Sequence, residues 1–218
     1  MKKLFCSMVA LLVFALVLPA QAQQPAKIPK IGWLSAGSGS LSSGGWRELF
    51  ARELRALGHV GGENIARYAD NKLDRLPALA EELVGLKVDV VIANSTPAVL
   101  ALKNATRTIP IVFVNVTDPV GMGMIDSLAR PGGNITGVTN IAAELGGKRL
   151  ELLKETIAKL SRVALLWTPL DPGSAQERKD SQQPGRGLGL QLHSMEVSSA
   201  DKYQGAFKEA IKARSAAL

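Results

Sequence analysis

"STPAVLALKNATRTIPIVFVNVTDPVGMG", residues 95–123, carries one device twice. An apolar run, residues 88–93 and then 109–116, is followed by a hydroxyl or acid residue and a proline: Thr96-Pro97, then Asp118-Pro119. Short, unbroken apolar runs suit strands buried on both faces of a parallel sheet. A short polar residue suits a helix N-cap, and proline at the first helical position has no amide to leave unbonded. The stretch therefore predicts strand, helix, strand, helix. Both helices would open at the carboxyl ends of parallel strands, where open α/β sheets hold their ligands.

The pattern extends in both directions. Upstream, "KIGWLS" (30–35) predicts a first strand and "GGWRELFARELRALG" (44–58) a helix with Trp46, Leu49, Phe50, Leu54 and Leu57 on one face, closed by Gly58. A short strand follows around residues 65–68, then a helix over 74–87 with Leu76, Leu79, Leu83 and Leu86 inward. Downstream, residues 119–132 are expected to be helical up to Pro131 and Gly132, before a fifth strand, "NITGVTN" (134–140).

After Asn140 the alternation restarts. "ELGGKRLELLKETIAKL" (144–160) aligns Leu150, Leu153, Ile157 and Leu160 as a helix, and "SRVALLW" (161–167) and "LQLHSMEV" (190–197) are strands. The helix between those strands should end early at Pro184, since an interior proline costs about 3 kcal/mol. A last helix, capped by Ser199 or Asp201, should turn Tyr203, Phe207, Ala210 and Ile211 to one side. The expected organisation is an α/β protein: a lobe over 28–140 and a second, incomplete lobe over 141–218 with too few strands to stand alone.

Residues 1–22 have the pattern of a cleaved secretory signal peptide: Lys2 and Lys3, an apolar core over 4–18, then Ala20-Gln21-Ala22. That places the mature chain in the periplasm. Removing it leaves 196 residues, lowers the formal charge from +7 to +5, and takes away Cys6, the single cysteine. Thiol nucleophiles, disulfides and thiolate metal sites are then excluded. His59 and His193 lack zinc-site spacing, and no basic and aromatic cluster marks a nucleic-acid surface.

Candidate chemistry concentrates at the strand ends. Thr96-Pro97, Asp118-Pro119 and Asp171-Pro172 each mark an expected helix N-terminus, which attracts anions. Asn94, Ser95 and Thr117 precede the prolines and are placed to meet a ligand; the Asp118 carboxylate would receive an ammonium, so a zwitterion such as an amino acid fits both features. "SAGSGSLSSGG" (35–45) lacks the third glycine of a dinucleotide loop and the lysine of a P-loop, and reads as a cleft wall with Ser35, Ser38 and Ser43 as hydrogen-bonding groups. No nucleophile elbow or catalytic triad is present, so neither a cofactor nor an enzyme activity is expected.

With these residues in view, "KIPKIGWLSAG", "ELRALGHVGGENI", the block over 74–140 that contains "ATRTIPIVFVNVTDPVGMGMIDSLARPGGNITG", and "GKRLELLKETIAKLSRVALLW" together resemble the ABC-transporter substrate-binding protein family that includes tryptophan and tyrosine binders. The resemblance implies a type I periplasmic-binding-protein fold: two lobes that close on a small ligand and hand it to a membrane permease, normally as a monomer. It implies cleft residues at Ser35 and Ala36; Asn94, Ser95 and Thr96; Thr117 and Asp118; Asn140; and, on the second lobe, Thr168 and Asp171. Three departures stand out: a short segment after Asn64, "QQPGRG" in place of an alanine-rich helical stretch, and roughly the last third of the family's length. Two further readings stay open: a sensory module that signals to a partner without transport, and a truncated product that binds nothing.

Overall fold

A computed structural model describes residues 29–37, 46–57, 64–142 and 144–218. The signal-peptide segment, Ser38, Ser43, Gly58 and His59 lie outside the described residues.

Five parallel strands form the first sheet: β1 (Ile31–Ser35), β2 (Asn64–Tyr68), β3 (Val90–Asn94), β4 (Ile111–Thr117) and β5 (Ile135–Asn140), in the order β2-β1-β3-β4-β5. Their apolar runs are long because the central strands are covered on both faces. On one face α2 (Leu76–Gly85) and α3 (Thr96–Ala105) bury Leu76, Leu83, Val99 and Leu102 against Leu34, Val91, Ile111 and Phe113. On the other, α1 (Trp46–Ala56) brings Phe50 edge-on to the buried Trp33, ring centroids 6.4 Å apart.

The second sheet pairs β6 (Arg162–Trp167) with β7 (Gln191–Glu196) in parallel, between α4 (Gly146–Thr156), α5 (Pro172–Gly187) and α6 (Tyr203–Lys212). On the free side of β6, Ala217 forms a parallel bridge with Val163, and its carbonyl accepts the Ala164 amide at 2.8 Å. Leu150, Leu160, Val163 and Leu190 form one small core; Ala164, Met195, Val197, Ala206 and Ala210 form another.

Four expectations need correction. Residues 119–132 form turns rather than a helix. Gly121 and Gly123 supply no side chain to bury, and Gly123 adopts φ +63°, so helical hydrogen bonds stop after one turn. The helix expected to stop early at Pro184 instead runs to Gly187. It lies against α4, where Pro184 packs so closely on Gly147 that a Cβ there would come within 3.2 Å of the ring; this tertiary packing outweighs the local penalty. Leu49, Leu57 and Leu86, expected inward, are exposed. On α6 the buried stripe runs through Ala206 and Ala210, which join the core of the second sheet, and Tyr203, Phe207 and Ile211 lie off that stripe and are exposed.

Candidate functional site

In a sheet of this order β2 lies on one side of β1 and β3 on the other, so the connections leaving β1 and β3 part in opposite directions. That topological switch point opens a crevice beyond the carboxyl ends of the two strands. Ala36 follows β1 and Ser95 follows β3, and both line a cavity of about 480 Å³ there. Ser35 is buried behind them, its hydroxyl accepting the Gly37 amide at 3.2 Å, and Asn94 pairs with Ser35 in register.

Ser95 is the unusual member. It is the N-cap of α3 at φ 97°, ψ 152°, a region that favours glycine and costs a residue with a side chain on the order of 1–3 kcal/mol. Its hydroxyl caps nothing: the oxygen is buried and has no hydrogen-bond partner. Thr96, expected as the cap, is instead the first helical residue, and its hydroxyl accepts the Thr117 amide at 3.4 Å. The N-cap thus moves back one residue, because Thr96 is drawn against β4 and buried there.

At the end of β4 the same sequence device gives a different result. A bulge places Asn115 at φ 58°, and Asn140 donates to its side chain at 3.0 Å. Asp118, at φ 42°, accepts the Gly121 amide at 2.9 Å and caps a turn in place of the expected helix. A Cβ on Gly121 would lie 2.0 Å from Asp118 Oδ2, so a side chain there would displace the carboxylate. Asp118 and Asn140 line a second cavity of about 350 Å³ with Val120, Leu128, Glu144 and Asp180.

The second sheet contributes through the first turns of α5. Asp171 is its N-cap, accepting the Gly173 amide at 2.9 Å, with Pro172 in the first helical position, so this third device folds as expected. Thr168 donates its amide to Ser174 Oγ at 3.0 Å. Thr168 and Asp171 line the 480 Å³ cavity opposite Ala36 and Ser95. Between the two cavities α5 touches the first sheet: a Cβ on Gly173 would lie 3.0 Å from Thr96 Oγ1 and 3.2 Å from Thr117 Cβ. One turn on, Glu177 Oε1 lies 3.2 Å from the Thr117 hydroxyl, whose other neighbour is Asn140 Oδ1 at 3.4 Å.

The ten candidate residues therefore fall in three places. Ala36, Ser95, Thr168 and Asp171 share the larger cavity, and Asp118 and Asn140 the smaller. Ser35, Thr96 and Thr117 are buried, and Asn94 is half-buried beside them. Sequence reasoning missed Asn71, Ser198, Ser199 and Tyr203 in the larger cavity and Glu177 on its dividing wall. One signal was available for Asn71: Asp-Asn after a short strand suits left-handed backbone, and Asp70 and Asn71 do adopt φ 53° and 61°. With Ser95, Asn115 and Asp118 they place five positive-φ side chains at the carboxyl edge of one sheet; among the described residues the others, Lys87, Lys159 and Arg214, follow helix ends. Among the described residues no cluster of three His, Cys, Asp or Glu side chains is placed to hold a metal ion.

Residues 53–218 match the family described as ABC transporter substrate binding protein. A tyrosine-binding protein from Clostridioides difficile is 34% identical over 128 residues, covering 57% of this chain and 36% of its own length. A conserved domain protein from Vibrio cholerae superposes with a TM-score of 0.78 at 25% identity, over 86% of this chain and 63% of that one. An ABC domain from Streptococcus pneumoniae in complex with L-Trp superposes with a TM-score of 0.74 at 23% identity, over 84% of this chain and 62% of that one. The chain spans less than two thirds of the length of each of these relatives. With its two parallel sheets and a family match that runs from α1 to the last residue, the chain belongs to the ABC transporter substrate-binding protein family.

Proposed function

We propose that this protein is the periplasmic solute-binding component of an ABC importer and holds an amino acid in the 480 Å³ cleft between the carboxyl ends of its two sheets. The observation that carries this reading is Ser95: it lines the cleft together with Thr168 and Asp171, on strained backbone at the switch point, and its hydroxyl is buried without a partner. Strained backbone and an unsatisfied polar group both cost stability, and a ligand that bonds the hydroxyl offsets that cost. Among the described residues of the lining, Asp171 alone is an acidic or basic residue. Its Oδ1 is occupied by Gly173, which leaves Oδ2 for an ammonium. The ligand's carboxylate then lies toward Ser95 and the first-turn amides of α3, where the helix dipole favours negative charge. The names of the tyrosine-binding relative and the L-Trp complex support an amino acid as the guest.

In this reading residues 28–140 form one lobe and 141–218 the other, residues 1–22 direct secretion, and a membrane permease receives the ligand from a monomeric receptor. Titration calorimetry of the purified chain against tyrosine, tryptophan and leucine tests it. Saturable binding that Asp171→Asn weakens is expected. Absence of binding by a chain with a native circular dichroism spectrum overturns the reading.

A further inference from the structure

Helix α5 meets the second sheet once per turn: Gly185 against Leu192, Gln182 Nε2 at 3.5 Å from Ser194 Oγ, and Arg178 over Trp167. The last contact is the odd one. The guanidinium carbon lies 4.4 Å from the Trp167 ring centroid, and Arg178 Nε is buried without a hydrogen-bond partner. Arg67 and Arg75 each hold a carboxylate, and Arg162 donates to Gln191 and to the Ala213 carbonyl. Arg178 forms no ion pair among the described residues.

A ring face attracts the cation but accepts none of the five N–H donors of a guanidinium. Stacking also restricts the side chain's rotation, which leaves a preorganised fork that matches the two oxygens of a carboxylate or phosphate. Nε is closed off, but Arg178 as a whole is only half-buried, so an anion from solvent would meet the terminal N–H pair. Arg178 is not among the residues lining either of the two cavities described above. The negative group nearest in register is Glu196, opposite Trp167 on β7 and exposed. We propose that Arg178, braced by Trp167, is an oxyanion-binding site on the second sheet.

Trp167 supplies the readout. Tryptophan emission of the full chain is followed while sodium phosphate, or in a separate arm sodium acetate, replaces sodium chloride at constant ionic strength. A saturable change is expected, and the arm with the tighter response identifies phosphate or carboxylate as the preferred group. Arg178→Lys keeps the charge and loses the fork, and weakens the response about tenfold; Arg178→Met abolishes it, and Glu196→Gln tightens it about two- to threefold by removing a like charge. Trp167→Phe removes the signal. A wild-type chain without a saturable response, or an Arg178→Met chain with native circular dichroism that titrates like wild type, overturns the proposal. Should Arg178→Met not fold, equal affinities in wild type, Arg178→Lys and Glu196→Gln overturn it.

Discussion

The corners after β3 and after β4 begin from the same sequence device and end in different structures. After β3 the chain enters α3, a ten-residue helix with Ala98, Val99 and Leu102 completely buried. After β4 it passes through turns held by Asp118, with Val120 exposed and Met124 and Ile125 reaching the core individually. A polar residue followed by proline marks where the chain leaves a strand. Whether a helix follows depends on what comes next: Ala98, Val99, Ala101 and Leu102 supply a face to bury, whereas Gly121 and Gly123 do not. The corners also differ in position, since only the first lies at the switch point.

Stability separates the corners most. Leu102→Ala should lower the unfolding free energy by about 3 kcal/mol, and Val120→Ala by less than about 0.5 kcal/mol, measured by urea denaturation. Equal losses would break the comparison. In the cleft, Ser95→Ala should weaken amino-acid binding about tenfold, the worth of one hydrogen bond, while Asp118→Asn changes it less than about twofold. Calorimetry showing equal losses would merge the two corners into one site. Ser95→Gly should relieve the backbone at φ 97° and raise stability by about 1 kcal/mol while still weakening binding; no gain would mean that the strain is absent. Gly173→Ala should weaken binding a few-fold, because its Cβ meets Thr96 and Thr117 across the wall, while Gly205→Ala, with open space around it, leaves affinity unchanged.

The smallest effect lies away from both corners. Arg67 donates to Glu82 at 2.6 Å and holds its carboxyl below the usual 4.5. A lowered folded-state value stabilises the fold above the unfolded carboxylate range, and that contribution is lost as the pH falls through the folded value. Both side chains are substantially exposed, so the effect is small. Denaturation curves of Arg67→Ala and the parent should therefore differ slightly at pH 7 and converge as the pH falls through the lowered folded-state value.

Much of the fold was legible because its signals are local. The strands are unbroken apolar runs, and Pro172 with Asp171 folds as its residue types dictate. The errors have two origins: at residues 119–132 a local one, Gly121 and Gly123, and elsewhere competition from distant residues. Pro184 stays helical because it lies against Gly147, and α6 turns Ala206 and Ala210 inward, where they pack with Ala164, Met195 and Val197 of the second sheet. The candidate site was legible as a set of strand ends, and not as a grouping. Ser95 and Asp171 share a cavity from which Asp118 is excluded, and Tyr203 joins them from the far end of the chain.

Where strands stop, and which polar residues stand at those ends, is written in the order of the residues, because burial on both faces demands apolar runs and a chain leaving a strand demands polar, proline-bearing corners. Folding in three dimensions settles that β1 lies between β2 and β3, which makes Ala36 and Ser95 the mouth of the crevice, and that Gly173 packs against Thr96 and Thr117, so that one expected site becomes two cavities. Strand order and helix seating are settled by side chains that meet only after the chain has folded back on itself, so they leave no periodic trace in the sequence.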